Sequence, residues 1–189
     1  MESALIVSSI DKSAAFFSEV LNAAAVKKIS VLNSAGEARR RLLEQDFDLV
    51  IIDAPLADES GENFSRNIAS KSLSQVILAV KSEHFNAVAA VCEDDGVLTI
   101  SKPVDREIFW LSLSLARAAS GKIKRIHAEN MKLKQKIEDI RIIDRAKLLL
   151  ISYLNLSEQE AHRFIEKQAM DLRSSKRTIA EGILKTYAS

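Results

Sequence analysis

Asp53 closes the apolar run Leu49-Val50-Ile51-Ile52, and Lys102 stands before Pro103 at the end of another run, Val97–Ile100. A carboxylate and an ammonium at the tips of two strands form an ion pair if the strands lie side by side. The same kind of position collects Ser8 and Ser9 with Asp11 after a first apolar run, and Lys81 with Ser82 after Val76–Val80. In a parallel α/β sheet the carboxyl ends of the strands are where chemistry gathers. Ser8 and Ser9 are neutral and poor ligands for a hard, hydrated cation. No cofactor is expected. No catalytic triad, Gly-rich phosphate loop or metal-ligand spacing is present, so an enzyme is not expected. The single Cys92 excludes an internal disulfide and a Cys-rich zinc site.

To place those residues on one edge, the first part of the chain must alternate strands and helices. Ala4–Val7, Lys28–Leu32, Leu49–Ile52, Val76–Val80 and Val97–Ile100 read as short strands. Helix-length segments lie between them. Lys12–Ala24 carries Ala15, Phe16, Val20 and Leu21 on one face, and Ala35, Ala38, Leu42 and Leu43 follow helical spacing in the next. Apolar strands covered on both faces point to a doubly wound, five-stranded parallel sheet over residues 1–119.

Beyond Pro103 the helix-breaking residues stop until the chain's last fifty residues, with Gly121 the sole glycine before Ser152. Ile123, Ile126, Asn130, Leu133, Ile137 and Ile140 recur at alternating steps of three and four. That is the seam of a coiled coil, and an Asn at its a position favours a two-stranded homodimer in one register. Carried backward, the frame takes in Phe109, Ala116 and Ala119. A linker helix over 120–140 is thus expected to join the α/β domain to a three-helix module over 141–189. Within that module Ser157 and Glu160 form a capping box, and Ser174 and Ser175 offer a second helix start.

Charge separates the two ends. Residues 1–105 hold 10 Lys/Arg against 16 Asp/Glu, whereas residues 106–189 hold 17 against 10. A basic half beside an acidic one suits a polyanionic partner for the basic half alone. Arg145, Lys147, Arg173, Lys176 and Arg177 are the expected nucleic-acid contacts, with Tyr153, Arg163 and Lys167 in support. No apolar run reaches the roughly 20 residues that cross a bilayer, and no membrane partner is expected. The expected location is the cytoplasm.

The block DLVIIDAPLADESG, with Asp53 at a strand tip and Lys102-Pro103 at the last one, resembles the receiver domain of response regulators in two-component systems. That resemblance covers about residues 3–119 and implies a flavodoxin-like fold, with Asp53 as phosphoacceptor position and a sensor kinase as partner. It also implies an acidic Mg²⁺-holding pair, which here aligns with Ser8 and Ser9. The family's switch hydroxyl aligns with Lys81, with Ser82 next to it. Lys81 and Lys102 are then expected to flank Asp53 with two fixed positive charges, making a pseudo-receiver. Ala146-Lys147, Ser157-Glu158, Glu160-Ala161, Ala169-Met170 and Ile179-Ala180 resemble, in order, the ANTAR domain, an RNA-binding antiterminator module. Leu148, Ile140 and Lys176 depart from its usual Gly, Arg and apolar residue. The implied function is transcription antitermination by binding stem-loops in nascent mRNA leaders, under a kinase or a masking regulatory protein. A DNA-binding response regulator and a dimerising adaptor without nucleic acid are the other readings.

Overall fold

The computed structural model describes residues 1–187. Five strands, β1 (Ser3–Val7), β2 (Lys28–Leu32), β3 (Leu49–Asp53), β4 (Gln75–Lys81) and β5 (Val97–Lys102), alternate with helices α1 (Asp11–Ala23), α2 (Ala35–Glu44), α3 (Glu62–Lys71) and α4 (Phe85–Cys92). The strands form one parallel sheet in the order β2-β1-β3-β4-β5. The order reverses at β1 and β3, so the tips of those two strands border the crevice where a doubly wound sheet places its site. A long helix, α5 (Arg106–Leu154), is followed by α6 (Glu158–Asp171) and α7 (Lys176–Tyr187). Contacts divide the chain into two compact units, residues 1–125 and residues 126 onward.

In the first unit, β3 is buried at all five positions and β4 at its first six, because helices cover both faces of the sheet. One core layer unites Leu5, Val7, Val50, Ile52 and Leu78 with α2, α3 and α4. The other unites Ala4, Ile6, Ile51 and Ile77 with α1 and the start of α5, where Phe17 and Phe109 meet with ring centroids 5.0 Å apart.

Two helix faces differ from the sequence reading. Ala14 and Phe17, rather than Ala15, are buried with Val20 and Leu21 in α1, and Phe16 is only partly covered. Leu43 is 89% exposed although Leu42 beside it packs on the core. The coiled-coil frame also fails to extend backward: Phe109 and Ala116, with Leu113, are fully or almost fully buried in the first unit. A stripe that packs against the sheet is not available to a partner helix. The acidic turn Glu93-Asp94-Asp95 before β5 is tethered at Asp95 by Arg66, whose Nε lies 2.5 Å from the carboxylate.

The second unit is built from the C-terminal part of α5 with α6 and α7. Its core is Ala146, Leu150, Ala161, Ile165, Ala180 and Ile183. Three of those six are alanines with no exposed surface, so the three helices approach closely where they meet. Local signals set the helix ends. Asn155, at φ 53°, breaks the chain after α5. Ser157 and Glu160 make both bonds of the capping box that opens α6, and the Ser175 hydroxyl accepts from Thr178 N–H at the start of α7.

Candidate functional site

The β3 tip carries a closed ionic centre. Asp53 is 1% exposed, and its Oδ1 lies 2.6 Å from the Lys102 ammonium. Its Oδ2 accepts a 2.8 Å hydrogen bond from the Ser8 hydroxyl, which in turn accepts from the Ile10 backbone N–H. Lys102 also donates to the Ala54 carbonyl. Both carboxylate oxygens are therefore occupied by donors from this chain. A buried charge needs such pairing, because leaving it alone in a low-dielectric interior is costly.

Of the expected neighbours, Ser8 and Lys102 meet Asp53, and the others do not. Lys81 was expected to flank Asp53; its ammonium instead lies 3.8 Å from Glu83 on the surface. The register sets Lys81 two residues beyond Ala79, the partner of Asp53, at the one exposed position of β4, where Glu83 is the nearer charge. Ser82 bonds to Ser101, Oγ to Oγ at 2.7 Å, and to the Lys102 carbonyl. Ser9 and Asp11 are exposed. Such a donor set does not fit Mg²⁺, which asks for several oxygen ligands of which some are charged. Among the described residues no group of three or more His, Cys, Asp or Glu is arranged to hold a metal.

The loop after Asp53 is also pinned, by residues that strand patterning did not single out. Asp58 accepts from the backbone N–H groups of Ala35 and Gly36 at 2.9 and 2.8 Å, at the start of α2. Those two bonds hold its carboxyl below the usual range. Arg39 pairs with Glu59 at 2.7 Å and lies over the Phe64 ring. Gly61 closes the loop at φ 92°, where a side chain would press on Ile52 and Ala54 at 3.2 and 3.3 Å. At the amino end of the strands Asp48 accepts from Lys124 and from the N–H groups of Glu2 and Ser3. Burial pushes this carboxyl up, but the Lys124 bond and the two N–H donors outweigh it and bring it down to about 2. An Asp directly before an apolar strand was the only available signal for Asp48. Its partners lie 45 or more residues away, and nothing local names them.

The helical unit sorts its cations into two sets. Lys147 of α5 bonds Asp144 at 2.8 Å and Glu158 of α6 at 2.9 Å, and its side chain is only 16% exposed. Lys176 of α7 pairs with Glu166 of α6. Arg177 of α7 pairs with Asp139 of α5 at 2.7 Å and with Glu181 at 2.8 Å. Each pair of helices in the unit is thus clamped by one ion pair. The bonds from Asp144 and then Glu158 raise the Lys147 ammonium above its usual value. Those from Asp139 and then Glu181 do the same for Arg177. Arg145, Arg163, Lys167 and Arg173 form the second set: all are exposed, and among the described residues none has a carboxylate within bridging distance.

So three of the five residues expected to meet nucleic acid first serve the unit's own packing, and Arg145 and Arg173 stand open with Arg163 and Lys167. Tyr153 is largely exposed and stacks on Tyr187, with ring centroids 5.3 Å apart. The seam residues Ile123, Ile126, Leu133, Ile137 and Ile140 are all exposed on α5, as is Asn130. Among the described residues no helix is long and apolar enough to cross a membrane.

A five-stranded parallel sheet with a carboxylate at the β3 tip and a lysine at the β5 tip defines a receiver-type domain. The response regulator receiver domain model matches residues 4–111, and the chain belongs to that family. The ANTAR domain model matches residues 131–184, so the protein is a response regulator with a C-terminal ANTAR domain, a regulatory rather than enzymatic class. The transcriptional regulatory protein PdtaR of Mycobacterium tuberculosis, in strains CDC 1551 and H37Rv, is 25% identical over 142 residues, covering 75% of this chain and 69% of the relative. Among solved structures, the signal receiver domain of an HD domain-containing protein from Pseudomonas fluorescens Pf-5 superposes with a TM-score of 0.58 at 20% identity. It covers 66% of this chain and 92% of that one. A two-component response regulator from Clostridium difficile gives 0.53 at 14% identity, covering 62% and 97%. Both share the fold of the first unit.

Proposed function

We propose that this protein is a transcription antitermination regulator that binds stem-loops in nascent mRNA leaders as a coiled-coil dimer. The observation that carries the reading is the open set Arg145, Arg163, Lys167 and Arg173 on an ANTAR unit in which Lys147, Lys176 and Arg177 are spent on its own packing. Cations without internal partners are the ones free to displace counterions from a phosphate backbone. Lys147, Lys176 and Arg177 then act as positioning residues, holding the helices in the arrangement that presents the open set. The working division is a receiver over 1–119, a linker helix over 120–140 and the RNA-binding module over 141–189.

Homodimerisation follows from the exposed seam of α5. Five large aliphatic side chains at heptad spacing, with Asn130 among them, stand exposed on α5. Pairing two such helices removes that surface from water and sets two RNA-binding modules on one particle, which raises avidity for a two-hairpin target. The receiver, in turn, is proposed to work without phosphorylation. Asp53 already has its counter-charge, its second oxygen is bonded to Ser8, and no acidic pair is present to hold a cation. A sensor kinase is the partner that a receiver domain supports, and a masking regulatory protein takes its place if Asp53 is not phosphorylated.

Gel shifts at matched salt test the reading. Selective retention of a loop-bearing hairpin pair over duplex DNA is the expected result; equal or absent binding to both would sink it, and preference for duplex DNA would favour a DNA-binding regulator. An acyl-phosphate donor with Mg²⁺ should leave Asp53 unlabelled. Efficient labelling that disappears in Asp53→Asn would show the receiver to be active.

A further inference from the structure

Between α6 and α7 runs a groove of about 630 Å³, lined by Leu150, Phe164, Gln168, Ser174, Ile179 and Gly182 among others. Resting on the RNA-binding reading above, we propose that this groove seats one unpaired base of the RNA loop. Sequence-specific recognition of RNA targets bases that are splayed out of a loop, stacked on an aromatic ring and hydrogen-bonded at their edges. The groove offers each of those elements. Phe164 is 38% exposed and lies outside the unit's buried core, so its ring is not needed to hold the helices together. The Gln168 amide and the Ser174 hydroxyl line the same groove, and neither side chain has a hydrogen-bond partner among the described residues. An amide supplies both a donor and an acceptor, which is what the edge of a base presents in return.

Two further observations favour a nucleotide over an apolar peptide. By helical periodicity Lys167 lies on the side of Phe164 away from the core of α6, and Lys185 flanks Gly182 on α7. Neither has a bridging carboxylate among the described residues, and both are exposed where a base entering the groove would bring its phosphates. Asp171 is the acidic neighbour on the last turn of α6. At Gly182, an added Cβ would meet nothing within 4 Å, so the wall of the groove is open because a side chain is missing there.

That opening supplies the test. Hairpins with a fixed stem and a randomised loop are selected on the full-length protein, and each loop position of the winner is then replaced by an abasic nucleotide. Gly182→Leu puts a large apolar side chain on the groove wall, Gly182→Ala adds only a Cβ that meets no neighbour within 4 Å, and Phe164→Leu removes the ring while keeping an apolar side chain. Gly182→Leu and Phe164→Leu should each weaken binding by about 5- to 150-fold, the loss expected for one base-on-aromatic stack. In both variants the penalty of one particular abasic position should vanish, while Gly182→Ala stays near the parent and keeps that penalty. Thermal melting checks that the variants fold, and if Gly182→Leu does not, the Phe164→Leu and abasic combination decides alone. Selective hairpin binding with unchanged abasic penalties in Phe164→Leu would overturn the groove assignment and leave the RNA reading standing. Failure of the parent protein to prefer any hairpin over duplex DNA would overturn both.

Discussion

The two functional regions of this protein spend their charges in opposite ways. At the β3 tip the carboxylate is satisfied: Asp53 has Lys102 on one oxygen and Ser8 on the other, and it is buried. On the ANTAR unit, ion pairs between helices consume Lys147, Lys176 and Arg177, yet Arg145, Arg163, Lys167 and Arg173 remain open. A region built to receive a new anionic partner keeps positive charge in reserve, and a region with none in reserve acts as scaffold. The proposed division of labour follows from that contrast: the receiver is a platform and the helical unit makes the contacts.

The largest effect should come from breaking the closed centre. Lys102→Met leaves Asp53 buried and unpaired and should cost about 3–5 kcal/mol in equilibrium denaturation. A loss under about 1 kcal/mol would mean that Asp53 is solvated in solution and open to chemistry, and the contrast between the regions would collapse. Acid should act next, through Asp48. Its carboxyl is held at about 2 against an ordinary 3.8, so its contribution is fully present above pH 3.8 and fades as the pH falls toward 2. Linkage puts that contribution at about 2 kcal/mol, and Asp48→Asn should remove it at neutral pH and flatten the acid limb of the stability profile. An unchanged acid limb in that variant would remove Asp48 from the account.

Smaller changes sharpen the comparison inside the helical unit. Ser157→Ala removes the cap of α6 and should lower stability by about 1 kcal/mol, read by thermal melting. Arg145→Ala and Arg173→Ala should leave stability within about 0.5 kcal/mol. If each touches a phosphate, its loss should also shallow the salt dependence of RNA binding by about 0.7–0.9 in log–log slope. Lys147→Ala, by contrast, should weaken folding and binding together, because the residue ties α5 to α6. Loss of binding alone in Lys147→Ala would return it to the list of direct contacts.

Much of the fold was legible because its signals are local. The central strands β1, β3 and β4 are buried on both faces and read as continuous apolar runs, whereas the edge strand β2, KISVL, is only partly buried and reads more weakly. Helix faces were less secure. Where two apolar residues adjoin, as with Leu42 and Leu43 or Phe16 and Phe17, only the orientation of the packed helix decides which goes inward. The backward extension of the coiled-coil frame failed for a related reason. One helix carries one stripe for the sheet and another for solvent, and periodicity alone does not say which partner claims which.

The sequence by itself determined the capping box that opens α6, the Asp53 and Lys102 pair at two strand tips, and the charge asymmetry between the halves. Each depends on neighbours in sequence, on strand ends or on summed composition. Only the tertiary structure decided which cations are spent and which are free. Arg177 meets Asp139 across 38 residues, and Lys147 meets Glu158 across a helix break. Charges separated that far pair only once three alanine-lined faces bring their helices together, so no count of lysines and arginines along the chain could have told clamp from contact.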